Sequence, residues 1–405
     1  MIKKSVLHNQ VTVVSQHLPH APASAVGVWL QNGSRHQQPQ QCGYAHLLEH
    51  LLFKGTQSMD ASTLAVEFER MGGQVNAHTG REMTALHAFV PNQHVPRLIS
   101  LFGEMLFQPR FDDHDLRIEK DVVLEEMAMV KDSPEEVLEE RAIQNSWPSH
   151  PIAWPILGDV PQLKKADAQT LHEYLQSILC GRRIWIIAAG GISHDELRAS
   201  VAECFGSVAE GDFPTQTAPE YRQHEDDLHY NSNRACFLWT FPAPRVGDSG
   251  YYTAVLANHL LGGGTSSRLF QEIREQRGLV YDIQSQLELY SDCGLWTIST
   301  ACEPNNHQQL REAVETCIER LVHGKLTDHE LAVSREFIKS NLVVERSNIE
   351  IAMERMAREV IYLGHAVSHD EHMAAFDRVT AADIQSLLRD NWALRSLDTL
   401  APRRK

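Results

Sequence analysis

The chain has no run of 18 consecutive apolar residues, so none of it reads as a membrane-spanning helix. Its seven cysteines, Cys42, Cys180, Cys204, Cys236, Cys293, Cys302 and Cys317, form no C-x-x-C pair and are odd in number. That pattern gives no sign of a disulfide framework and suits free, buried thiols in a reducing cytoplasm. Positive charge is also short: 37 Lys and Arg stand against 53 Asp and Glu, a formal charge of −16. A phosphate backbone would be repelled, so no nucleic-acid partner is expected. The same balance mildly favours a cationic peptide, and plain surface solubility explains it equally well. The N-terminus, MIKKSVLHNQVTVVSQHL, lacks a continuous apolar core and reads as a first strand rather than a signal peptide.

What the chain does have is a pair of histidines four residues apart with a carboxylate between them, His46-Leu47-Leu48-Glu49-His50. The stretch GYAHLLEHLLFKG predicts a helix ending at Gly55. On a helix this spacing puts both rings on one face, one turn apart, where they can grip one Zn²⁺. The order H-x-x-E-H is that of the inverted zinc metallopeptidases. An amphipathic helix with its polar residues in solvent would carry the same letters, so a third ligand has to decide. Glu119, Glu125 and Glu126 compete for that role in DLRIEKDVVLEEMAMVKDSPEE. At helical spacing Glu126 is flanked by Val122, Val123, Met129 and Val130, whereas Glu125 has Asp121 and Ala128 beside it. A carboxylate set in an apolar stripe needs a cation, which selects Glu126. Glu119 lies two turns earlier on the same face, placed to orient a ligand. Glu135 and Glu136 read as a solvated charge run. Cys42 stands near the motif and reads as a small buried hydrophobe.

GYAHLLEHLLFKGT, followed 76 positions after His50 by Glu126, resembles the pitrilysin/insulinase family of zinc peptidases, in particular short bacterial members like the β subunit of the mitochondrial processing peptidase. The resemblance implies that His46, His50 and Glu126 hold one Zn²⁺ per chain, that Glu49 is the base, and that Glu119 supports the ligands. GGQVNAHTGREMT, Gly72 to Thr84, is similar to the family's edge strand beside the metal, which makes Asn76 and Ala77 substrate-binding candidates. Leu86 departs from the aromatic usual in relatives.

Strand patterns VTVVSQHL, SAVGVWLQ, RRIWIIAAGG, ACFLWTFPA and LWTISTA alternate with helices, as in antiparallel sheet with one face covered. The segment from Ser207 to Asp227 is rich in Pro, Gln and acidic residues and is the linker candidate. On either side the sequence repeats weakly. His50-Leu51-Leu52 with Gly55-Thr56 realigns on His259-Leu260-Leu261 with Gly264-Thr265, and Gly73-Gln74-Val75 on Gly278-Leu279-Val280. His46 then corresponds to Val255 and Glu49 to Asn258, so the second half has lost the metal motif. A repeat this short also arises by chance, but the resemblance implies two related domains of which only the first binds zinc.

The second half carries LGGGTSSRLFQEIREQRGLVY, Leu261 to Tyr281. Its glycines are not followed by Gly-Lys-Ser/Thr, so a phosphate loop is a weak reading. The stretch is similar to the family's substrate-clamping segment, in which Arg274 and Tyr281 match residues that reach the scissile peptide. Read from the residues alone, the alternatives are a solvated helix cation beside Glu275 for Arg274 and a core aromatic for Tyr281. Two helical tracts follow, HQQLREAVETCIERLVHG and Thr327 to Leu363, the latter opened by the capping-box pair Thr327 and Glu330.

The expectation is therefore an α+β protein of two homologous domains, each a mainly antiparallel sheet flanked by helices: 1–206 with the metal, a linker 207–227, and 228–405 supplying the clamp. Together they form half of a clamshell chamber. The expected activity is zinc-dependent endopeptidase action on peptides or small unfolded proteins, as a homodimer or as a heterodimer with a related chain. The alternatives are the catalytic subunit of a heteromeric peptide-processing complex or a non-catalytic scaffold subunit, the intact metal motif arguing against the last.

Overall fold

The computed structural model describes residues 2–213 and 216–402; Pro214 and Thr215, within the expected linker, lie outside the described residues. The chain packs as two compact units. The first holds β1 (Ile2–Val6), β2 (Thr12–His17), β3 (Ala23–Leu30), β4 (Gln74–Thr79), β5 (Thr84–Pro91) and β6 (Ile184–Gly190) in one sheet of order β1-β2-β6-β3-β5-β4. The second holds β7 (Glu225–Tyr230), β8 (Ala235–Pro242), β9 (Ile283–Leu289), β10 (Gly294–Cys302) and β11 (Ser396–Pro402) in the order β7-β11-β8-β10-β9. The N-terminal segment expected as one strand is two, β1 and β2, paired antiparallel as a hairpin.

Without β1, the two sheets follow one plan. The pair β2–β6 is parallel, as is β7–β11, and every other neighbouring pair in both sheets is antiparallel. The helix between the second and third strands of the plan is Tyr44–Leu52 in the first unit and Tyr251–Gly262 in the second. The short sequence repeat is thus the trace of a duplicated α+β unit.

The units are not contiguous, which corrects the linear division at 206 and 228. Residues 129–153 pack in the second unit and residues 345–366 in the first. Each half of the chain contains a helix pair, Asp113–Asp132 then Pro134–Ser146, and Asp328–Glu345 then Ile349–Leu363. The second helix of each pair is apolar towards the sheet of the other half. Met353, Met356, Ala357, Val360 and Ile361 cover Val14, Ala25, Trp29 and Ile187, while Leu138 and Ala142 cover Cys236, Leu238 and Leu400. The tract expected as continuous from Thr327 to Leu363 breaks because Asn348 takes the backbone N–H groups of Glu350 and Ile351 and starts a new helix.

The helix Pro134–Ser146 is also tied by polar contacts. Asn145 Nδ2 donates to Asp398 Oδ1 at 2.9 Å, and Asp398, fully buried, holds His224 Nε2 at 2.7 Å. Burial by itself would push the His224 imidazole down, but the hydrogen bond and charge of Asp398 outweigh it and the pKa rises above its ordinary value. A raised histidine contributes stability that is complete below about pH 6.5 and is lost as pH climbs through the folded-state value. His224→Ala should therefore cost about 2 kcal/mol near pH 6 and progressively less towards pH 9. Thermal melts of both proteins across that range check it; a pH-independent difference would mean His224 is neutral in the fold.

Candidate metal centre

The helix Tyr44–Leu52 is anchored by Leu47, Leu48, Leu51 and Leu52, all buried, each contributing on the order of 2 kcal/mol. This leaves His46, Glu49 and His50 on the opposite side. Its start is fixed by Gly43 at φ 96°, where a side chain would meet the carbonyl of Leu157 at 2.7 Å. It stops at Leu52, one turn earlier than expected, and Gly55 at φ 112° turns the chain away.

His46, His50 and Glu126 come together, one ligand atom of each lying within 4.8 Å of the others. His46 Nε2 stands 3.7 Å from Glu126 Oε2, and His50 Nε2 stands 3.7 Å from Glu126 Oε1. These gaps are too long for hydrogen bonds. Two bonds of about 2.1 Å to one tetrahedral cation put donor atoms roughly 3.4 Å apart, so the site fits Zn²⁺. The donor chemistry agrees. Burial, and then the neighbouring His50, push the His46 pKa down to about 4, which leaves its imidazole neutral with a free lone pair. His50 Nδ1 meets Glu119 Oε2 at 2.8 Å, which makes Nδ1 the protonated nitrogen and turns the Nε2 lone pair towards Glu126. Glu119 is buried, and its other oxygen is held by Lys54 Nζ at 2.6 Å. Sequence reading missed Lys54, whose partner lies 65 positions further along the chain.

Glu49 sits between the two histidines in sequence with Oε2 buried and without a hydrogen-bond partner among the described residues. Burial raises its pKa, against the Thr79 hydroxyl and His50, which lower it, and Glu126, which adds to the rise. Glu49 thus brings a buried carboxylate oxygen without a donor among the described residues to the helix that carries His46 and His50.

The burial argument for Glu126 does not hold. Its side chain is 37% exposed, and Val122 and Met129 face solvent, Met129 at 70%. Geometry gathers Glu126 with the histidines; an apolar stripe does not. Glu125 is exposed. The candidates on β4 separate: Ala77 packs on the core that includes Leu47, Leu48 and Leu51, while Asn76, one residue earlier on the strand, points to the other face and its Oδ1 accepts from the Ala77 N–H. β4 is the edge of its sheet, pairing with β5 alone among the described strands. Leu86 is buried and lies opposite Ala77 on β5.

In the second unit Arg274 and Tyr281 meet. The Arg274 guanidinium lies 5.5 Å from the Tyr281 ring centre and 4.4 Å from that of Phe270. Tyr281 is 80% exposed, which excludes the core-aromatic reading. In the counterpart helix Tyr251–Gly262, His259 is buried with Nδ1 2.8 Å from Ser334 Oγ and its ring stacked on Phe337, and Asn258 accepts from the Ser285 hydroxyl. The cysteines are all free, and burial, with Asp159, pushes the Cys42 thiol up to about 11. No helix among the described residues is long and apolar enough to cross a membrane.

Comparison with known proteins agrees with this geometry. Residues 12–160 match the family model for insulinase (peptidase family M16), and residues 165–337 match that for the peptidase M16 inactive domain. The chain is 32% identical over 390 residues to the uncharacterised zinc protease YmxG of Bacillus subtilis, covering 96% of this chain and 95% of that one. An uncharacterised zinc protease of Streptomyces coelicolor is 27% identical, with 99% and 90% covered. The fold is shared with the crystal structure of a protease from Helicobacter pylori, TM-score 0.92 at 19% identity, covering 99% of this chain and all of that one.

Proposed function

The chain belongs to the insulinase (M16) peptidase family, and we propose that it is a zinc-dependent endopeptidase cutting peptides or small unfolded proteins. The observation that carries this reading is the cluster of His46, His50 and Glu126, with the Nε2 of each imidazole facing the carboxylate across 3.7 Å. Zinc bound there supplies a water acidified to a pKa of about 7 and a Lewis acid for the peptide carbonyl. The chain's own residues do the rest. Glu49, with its unpaired oxygen, takes the proton of the attacking water and returns it to the leaving amine. Glu119 keeps His50 in the tautomer that presents Nε2. The free edge of β4, carrying Asn76 and Ala77, offers backbone groups on which an extended peptide can add as a strand. On the family resemblance we assign to Arg274 and Tyr281, which stand together in the second unit, the role of donors to the carbonyl oxygen as it becomes negative.

We further propose that two such chains, or this chain and a related one, close a chamber in a reducing cytoplasm, which the seven free thiols suit. Apolar side chains exposed at equivalent positions of the duplicated helices support pairing: Ile118, Val122 and Met129 in one, Val333, Phe337 and Val344 in the other.

Purified protein should carry close to one Zn²⁺ per chain, and Glu126→Gln or His50→Ala should remove most of it. Elemental analysis is the test. Full zinc in Glu126→Gln would transfer the role to Glu125.

A further inference from the structure

We propose that Lys54 is a positioning residue of the metal centre, holding the Glu119 carboxylate that in turn orients His50. The inference rests on the metal reading above and adds a third layer to it. Glu119 is a carboxylate at 4% exposure, and such a group is costly unless each oxygen is engaged. Its two oxygens are divided between two partners: Oε2 to His50 Nδ1 at 2.8 Å, and Oε1 to Lys54 Nζ at 2.6 Å. With the ammonium on Oε1 the rotation of the carboxylate is fixed. The oxygen facing His50 is then an acceptor in a set position, and the ring behind it cannot turn Nε2 away from Glu126. Without the ammonium, a buried oxygen loses the donor it has among the described residues, the carboxylate is free to swing towards water, and His50 is loosened.

The backbone places Lys54 for this. The helix ends at Leu52, the Lys54 N–H bonds the Leu51 carbonyl, and Gly55 in the left-handed region directs the following chain away. Lys54 is thus held one turn beyond His50 at the helix end, two-thirds covered, with its ammonium on Glu119 Oε1.

The duplicated unit serves as an internal control. In the register that superposes His50 on His259, Leu51-Leu52 on Leu260-Leu261 and Gly55-Thr56 on Gly264-Thr265, Lys54 falls on Gly263. The helices Asp113–Asp132 and Asp328–Glu345 place Glu119 on Ser334 and Glu126 on Asn341. His259 Nδ1 still finds a partner at 2.8 Å, but it is the Ser334 hydroxyl, which is neutral and needs no cation. Where the carboxylate is gone, the lysine is gone with it, while Leu51-Leu52 and Gly55 keep their counterparts in Leu260-Leu261 and Gly264. A surface cation with no role at the site has no reason to follow that pattern.

The test is the zinc affinity of metal-stripped protein, read by competition with a chromophoric chelator, so that no turnover is needed. Lys54→Met should weaken zinc binding about 10-fold, and Lys54→Arg should recover most of the loss. In a Glu119→Gln background, Lys54→Met should add less than about twofold, because the two residues act in one chain of contacts. Melting of the metal-free proteins guards against a folding defect, and Lys54→Gln stands in for Lys54→Met if the latter does not fold. Wild-type zinc affinity in a folded Lys54 variant would overturn the proposal, as would an undiminished 10-fold loss in the Glu119→Gln background. If the unmodified protein binds no zinc, the metal reading falls and this one with it; tight zinc binding that ignores Lys54 removes only the role given to Lys54.

Discussion

Glu49→Gln protein should keep its zinc and lose turnover by about 10²-fold or more. The substitution preserves size and hydrogen-bonding shape but leaves nothing able to accept a proton. Glu49 is not among the residues that could hold the metal, which are His46, His50 and Glu126, and its Oε2 is buried without a hydrogen-bond partner among the described residues. Its loss should therefore be felt in kcat, not in metal content. The measurement is cleavage of a fluorogenic peptide by the zinc-loaded variant, with metal assayed on the same sample. Activity within a few-fold of the unmodified protein would remove Glu49 as the base. Loss of zinc together with activity would recast it as part of the binding set.

What the sequence makes legible here is mostly local. Helical spacing predicts that His46 and His50 share a face, and the four leucines between and after them predict which face is anchored. The strand patterns VTVVSQHL, SAVGVWLQ, RRIWIIAAGG, ACFLWTFPA and LWTISTA fall on β2, β3, β6, β8 and β10. Thr327 and Glu330 do form a capping box. Contacts that depend on distant segments are not legible in this way. The apolar letters around Glu126 suggest burial, yet Val122 and Met129 face solvent, since a helix pattern says which residues share a side and not what covers that side. The exchange of the helices Pro134–Ser146 and Ile349–Leu363 between units escapes a linear reading for the same reason. Either helix has an apolar face, and only the folded sheets decide which of two equivalent surfaces receives it. Asn76 and Ala77 are adjacent letters of one motif, but strand alternation sends them to opposite faces.

Tyr281→Phe should lower kcat by about 10- to 10³-fold with zinc content and stability unchanged. The structure makes this a clean substitution. At 80% exposure, Tyr281 has little packing to lose, and its hydroxyl has no hydrogen bond in the fold whose removal would strain the protein among the described contacts. An effect on rate would then belong to a donor that finds its partner only in the substrate. Arg274 has two possible roles, because its guanidinium stacks on Tyr281 as well as on Phe270. Arg274→Ala removes a donor and also the plane that holds Tyr281, so it should cost at least as much, with a rise in KM if it also grips the ground-state carbonyl. The double variant should then fall short of the product of the single losses. Steady-state kinetics on a fluorogenic peptide, with melting and metal content followed in parallel, measure all three. Unmodified kcat/KM in both single variants would mean that neither side chain reaches the scissile bond, and the second unit would then contribute no group to the chemistry.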